Sequence, residues 1–272
     1  MQTSHKPLNP THVNAWLDQG ADLITFFVDE WHGSSSPASK SSDFCSAEEY
    51  LHAAWGRRYV RAYRSLRIGA IRSDFLRLCY VADRGGFYSD RDVCPGTLAL
   101  RALRHLGAPL VLPRTRSFLK APAVWNAFFG AAPRHPLMIS LCHTALERIE
   151  GHYAAWGGLD LVMGIAGPVL MAPLLQADHR LILHMDQLDS LNPNNLRVGG
   201  ASAWVRGNDG QSPWLGSAVI QCPDTREDNY TTRWMEPNYW MNRANRGEVY
   251  WSNFEPQDVA RFTDVTPIRV DD

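Results

Sequence analysis

The chain is expected to fold as a three-layer α/β domain, and three observations carry that expectation. Compact apolar runs alternate with helical patterns along the first 150 residues. A Gly-Gly pair at 85–86 separates a long helical pattern from a short aromatic strand. Two carboxylates, Asp90 and Asp92, stand where that strand runs into a loop, and ligands of open α/β sheets gather at such strand ends. The 272 residues, 45% of them hydrophobic, suit one large domain over 1–272, and no internal repeat or clear linker divides it.

The elements follow in order. Thr11 is placed to cap a short helix that runs through Gln19 and closes at Gly20. Residues 23–28 form an apolar run ending in Asp29-Glu30 and read as a buried strand, and the Ser-rich stretch 32–42 reads as a loop. Ser46 with Glu49 three residues later is a capping-box signature for a long helix to about residue 66. The next helix covers 68–82, and the strand 87–89 leads to the carboxylates. Residues 97–106 look helical, 109–112 like a strand, 126–130 like a strand and turn, and 136–150 helical. From residue 180 the pattern turns to short strands and loops rich in Trp, Asn and Gly.

Composition narrows the function classes. A net charge of −1 argues against a general nucleic-acid binder. The five cysteines are odd in number and contain no C-x-x-C, against a zinc site or disulfide framework and for a reducing compartment. The N-terminus is polar, without signal-peptide character, and the longest apolar run, 161–175, is broken by Gly and Pro and is too short to span a bilayer. The location expected is cytoplasmic or peripheral to a membrane, or else that of a catalytic core separated from its anchor. Arg57, Arg61 and Arg64 fall at helical spacing within a basic stretch, which reads as a solvated face, with a phosphate-bearing acceptor or an anionic membrane as the alternative.

The chemistry concentrates between Arg72 and Pro95, reading R-S-D-F-L-R-L-C-Y-V-A-D-R-G-G-F-Y-S-D-R-D-V-C-P. Asp74 and Arg77 are three apart on a helix and share one face, either as a surface ion pair or as a binding pair. Strand side chains alternate faces, so Asp90 and Asp92 converge, and their hard oxygens suit Mn²⁺ or Mg²⁺ bridging two phosphate oxygens.

This segment resembles the sugar-binding region of the D-x-D glycosyltransferases, the family that includes yeast-type α-mannosyltransferases, α-galactosyltransferases and the clostridial glucosylating toxins. Their pattern is S-D-x-x-R, an aliphatic helix, G-G-x-Y and D-x-D, matched here by Ser73, Asp74, Arg77, Gly85, Gly86, Tyr88, Asp90 and Asp92 without a gap. The match covers roughly 25 residues.

The resemblance implies a GT-A type nucleotide-sugar fold, a mixed sheet flanked by helices, and a metal-dependent hexosyltransferase that retains anomeric configuration. The donor implied is a UDP- or GDP-hexose, and the acceptor a hydroxyl of carbohydrate, lipid or protein. Asp74 and Arg77 are then the sugar-binding pair and Asp92 the direct metal ligand, with Asp90 reaching the metal through water or holding the ribose. Ser73, Gly86 and Tyr88 belong to the same donor site. Asn126 resembles a family Asn facing sugar or acceptor, its alternative being a turn residue. The segment V-Y-W-S-N at 249–253 resembles the family's late W-S pattern, so Ser252 and Asn253 are expected to complete the metal site, unless Trp251 is only a packing aromatic. The part from about 180 to 272 is expected to form acceptor-side loops and close that site.

Two departures stand against the pattern. The family's first strand, I-P-K-x-I-H-Q-x-W, is not visible, leaving Trp16 or Phe26-Phe27 as substitutes for its base-holding aromatic. Ala166-Gly167-Pro168 replaces a Thr-Gly-Pro strand-turn. A nucleotide-sugar hydrolase and a non-catalytic binding or scaffold protein of the same fold are the alternatives.

Overall fold

The computed structural model describes residues 2–4, 10–21, 25–27, 46–66, 69–90, 93–98, 100–105, 107–116, 122–151, 164–185, 202–206 and 214–221. The loop expected at 32–42 and the late segment 249–253 lie outside them.

The fold is a mixed α/β sheet flanked by helices. Its strands are β1 (Gln2–Ser4), β2 (Thr25–Phe27), β3 (Gly86–Ser89), β4 (Val93–Pro95), β5 (Leu110–Arg116), β6 (Pro122–Val124), β7 (Phe128–Ala131), β8 (Arg180–Met185), β9 (Ser202–Arg206) and β10 (Trp214–Gln221). The helices are α1 (Pro10–Asp18), α2 (Ala47–Trp55), α3 (Arg57–Ser65), α4 (Gly69–Arg84), α5 (Leu100–His105) and α6 (Pro136–Glu150).

Among the described residues the main sheet runs β3-β7-β5-β8-β9-β10-β4, with β6 paired to β5. Only β5 and β8 are parallel in it, and β1 and β2 form a separate parallel pair. Seven strands laid flat would put β3 and β4 roughly 29 Å apart. Yet the Val93 N–H donates to the Asp90 carbonyl at 3.1 Å, so the two ends of the strand path meet. The sheet therefore bends back on itself. Among the described residues β9 pairs with β8 at His184 and Met185, and the β9–β10 ribbon carries two register shifts, irregularities of the kind that bend a strand pair.

Alternation along the strands feeds two cores. Leu110, Leu112, Tyr88 and Phe129 face α2, α3, α4 and α6 in the larger one. Val111, Phe128 and Leu183 face the other way, against Trp16 of α1, Leu103 of α5, Val93 and Val219. Cys79 is buried in the first core.

The expectations for α4, β3 and α6 match the structure closely; others are corrected by it. Ser46 caps α2 as its sequence indicates, its hydroxyl accepting the Glu49 N–H at 3.1 Å. The single helix expected to residue 66 is instead two, because Gly56 takes φ +82° and redirects the chain between Trp55 and Arg57. Thr11 lies inside α1, which begins at Pro10, a residue suited to a first turn whose N–H has no helical partner. In place of the strand-turn expected at 163–170, the described residues 164–170 form a helical end and turns, followed by a short 3₁₀ helix at Ala172–Gln176. The short strands β4 and β6 were not expected, and β5 extends past 112 to Arg116. Among the described residues, no helix is long and apolar enough to cross a membrane.

Candidate functional site

The middle of α4 carries Ser73, Asp74 and Arg77 on the side that meets the end of β3. Three features put a charged pair in that interior. The apolar face of α4 (Phe75, Leu76, Leu78, Val81) holds the helix against the sheet. Gly85, at φ +71°, stops the helix, its N–H bonded to the Val81 carbonyl at 2.9 Å. Strand alternation then turns Tyr88 toward α4 while Phe87 joins the opposite core.

The guanidinium of Arg77 organises the cluster. It lies 4.2 Å over the Tyr88 ring. Nη2 donates to the Ser73 hydroxyl at 2.8 Å and lies 3.2 Å from Asp74 Oδ1. Nη1 donates to the Asn126 carbonyl at 2.8 Å and lies 3.2 Å from Asp90 Oδ1. Nε reaches the Ser73 carbonyl at 3.3 Å. Arg77 and Asp74 are both buried, so this is no solvated i,i+3 surface pair. Asn126 closes the ring, its Nδ2 donating to Asp74 Oδ1 at 2.9 Å. It sits in a turn and also contacts Asp74 and Arg77.

Asp90 leaves the strand with 30% of its side chain exposed, more open than Asp74 and Arg77 at 8% each. Tyr88 donates its hydroxyl to Asp90 Oδ1 at 2.5 Å, and the Asp90 N–H donates to the Ala127 carbonyl at 2.7 Å. Burial pushes the Asp74 carboxyl up to about 7; the Asp90 charge adds to the rise, while Arg77 and the Asn126 amide pull against it. Near neutrality Asp74 can thus donate or accept a hydrogen bond.

The structure brings together Ser73, Asp74, Arg77, Tyr88, Asp90 and Asn126. It does not bring Gly86, which stands exposed at the opposite end of β3 paired with Ala131. Asp92, Ser252 and Asn253 lie outside the described residues. Trp16 is buried in the second core, stacked on Phe128 with ring centroids 6.1 Å apart, and so does not offer its face to a nucleotide base. Within the described residues no group of three or more His, Cys, Asp or Glu side chains stands together as a metal site.

At this end of the sheet, sequence reasoning gave Trp16 a different role and did not single out Ser89. The Trp16 indole donates to the Val93 carbonyl at 3.0 Å, and the Ser89 hydroxyl to the Asp90 carbonyl at 3.1 Å. Trp16 is 77 residues from Val93, and no local pattern announces such a pairing.

No family model and no curated protein matches the chain. Among solved structures it is similar to one described as PaToxG Glycosyltransferase, with a TM-score of 0.42 and 14% identity over 64% of this chain. The chain spans 66% of the length of that structure.

Proposed function

We propose that this chain is a metal-dependent glycosyltransferase that moves a hexose from a UDP- or GDP-sugar to a hydroxyl of carbohydrate, lipid or protein, with retention of configuration. The observation that carries the reading is the convergence of S-D-x-x-R and the first carboxylate of D-x-D around one guanidinium, with Arg77 3.2 Å from both Asp74 and Asp90. Two segments that resemble a donor-sugar site in sequence meet at one guanidinium, which supports the reading.

In this reading Asp74 and Arg77 orient the donor, the carboxyl meeting sugar hydroxyls and the guanidinium bridging hydroxyl and phosphate. Asn126 holds Asp74, and Tyr88 holds both Arg77 and Asp90 in place. Asp90 is a partly exposed hard oxygen donor two residues from a second carboxylate, Asp92, a donor set that fits Mn²⁺ or Mg²⁺. Ser252 and Asn253 are the proposed remaining oxygen ligands. The ion, when bound, supplies Lewis-acid stabilisation of the departing diphosphate.

A second reading, a nucleotide-sugar binding protein without turnover, is favoured by one observation. Every nitrogen of Arg77 already has a partner within the chain, so a donor phosphate has to displace or share one of them. A donor panel (UDP-glucose, UDP-galactose, UDP-N-acetylglucosamine, GDP-mannose) with Mn²⁺ or EDTA tests both. Metal-dependent release of nucleoside diphosphate, lost in Asp92→Ala, is expected of the transferase, and a transferred sugar on the acceptor separates it from a hydrolase. Metal-dependent donor binding without release supports the second reading. No binding and no release from any donor overturns both.

A further inference from the structure

Asp90 and Val93 stand at the two ends of the strand path, and their carbonyl groups are held from two directions. The Asp90 carbonyl accepts the Val93 N–H at 3.1 Å and the Ser89 hydroxyl at 3.1 Å. The Val93 carbonyl accepts the Trp16 indole N–H at 3.0 Å and lies 3.4 Å from the Ser89 hydroxyl. A serine has one proton, so its bond to Asp90 is the stronger and Val93 depends chiefly on Trp16. Trp16 cannot swing away: it is 4% exposed, and its ring lies within 8° of parallel to Phe128.

We propose that Trp16 and Ser89 are positioning residues, a two-sided clamp on the backbone carbonyls of Asp90 and Val93 that fixes the position of the Asp90 carboxylate before any ligand arrives. Its bearing on metal and donor binding rests on the transferase reading; the clamp itself does not. A carboxylate built on a free loop has to be ordered when the ligand binds, at an entropic cost. Here the second core holds the Val93 end in advance, through an indole N–H that burial obliges to find an acceptor. α1 thus acts on the site without touching what binds there.

The plain alternative is that Trp16 only fills the core, its N–H satisfied by the nearest carbonyl. Trp16→Phe separates the two, because it keeps a stacking ring and deletes the donor. Val111→Ala is the control, since it opens the same core without touching either carbonyl. Ser89→Ala removes the other arm and serves if Trp16→Phe does not fold.

Amide hydrogen exchange is measured first. Relative to the β5 and β7 amides, exchange at Val93 is expected to quicken about tenfold in Trp16→Phe and in Ser89→Ala, the size of a lost buried hydrogen bond, and not in Val111→Ala. Unchanged Val93 protection in both clamp variants overturns the proposal. Mn²⁺ binding in the presence of UDP is then followed by electron paramagnetic resonance. Several-fold weaker binding in the clamp variants alone supports the functional half; lost Val93 protection with unchanged Mn²⁺ affinity overturns that half. If the wild-type chain binds no Mn²⁺, the transferase reading fails while the exchange experiment still decides the clamp.

Discussion

Arg77 Nη1 on α4 lies 3.2 Å from Asp90 Oδ1 at the end of β3, and this contact, with the guanidinium over the Tyr88 ring, ties the helix to the strand. The same guanidinium serves Ser73, Asp74 and Asn126, a set that only a planar fork of donors can satisfy together. Arg77→Lys is therefore expected to fail twice. Its single ammonium leaves buried acceptors unpaired, at about 2–4 kcal/mol of stability in urea denaturation. It also abolishes nucleoside diphosphate release from the donor panel. Wild-type activity in Arg77→Lys counts against the role assigned to the fork.

Asp74 ties stability to pH. Its carboxyl is raised to about 7 in the fold, chiefly by burial, from the ordinary value near 4. The folded state then holds a proton that the unfolded chain has lost between about pH 4 and 7, so stability falls as pH rises through that window. Asp74→Asn carries no charge to bury. It is expected to flatten the pH dependence of the melting temperature between 4 and 7. At pH 8 it is expected to be the more stable protein by an amount on the order of a few kcal/mol, while donor binding is lost. An unchanged slope between pH 4 and 7 would show that another group carries it.

How much of this was legible follows from where each signal resides. The helices α4 and α6 and the strand β3 have local signatures, in apolar periodicity, the Gly-Gly stop and Pro136 at a first turn, and their bounds read almost correctly. The convergence of Asp74, Arg77 and Asp90 was legible only through motif resemblance, since the helical spacing alone fits a surface pair equally well. The break at Gly56 was missed because the helical pattern continues across it, and only a backbone at φ +82° reveals the turn. The strand β4 exists because Val93 finds Gln221, a partner 128 residues away. Three residues have no propensity strong enough to announce that pairing.

The arginines of α3 are expected to divide by partner. Arg58 meets Glu150 of α6 through Nε at 2.9 Å and Nη2 at 2.5 Å, a fork spanning two helices. Arg57 and Arg61 are exposed, on the face read as solvated. Arg58→Ala is expected to cost about 1 kcal/mol, the upper range for a partly exposed pair. Arg57→Ala is expected to fall within about 0.5 kcal/mol of wild type. Chemical denaturation of the two variants side by side checks the contrast, and equal losses would remove the special place given to the Arg58–Glu150 pair.

The adjacent glycines at 85 and 86 are expected to behave differently, although both take positive φ, +71° and +87°. A Cβ on Gly85 would stand 2.6 Å from the Pro133 backbone nitrogen, an atom with no rotamer to escape by, whereas a Cβ on Gly86 meets nothing within 4 Å. Gly86→Ala therefore pays only for its left-handed backbone, about 1–2 kcal/mol. Gly85→Ala adds a steric overlap with the turn that follows β7, and is expected to lose about twice that or to fail to fold. Activity separates a further question, because the resemblance put Gly86 in the donor site while the fold puts it at the far end of β3 from Asp90. Gly86→Ala is expected to release nucleoside diphosphate with an unchanged KM for the donor. A raised KM at undiminished thermal stability would return Gly86 to the binding site and require the donor to extend along the whole strand.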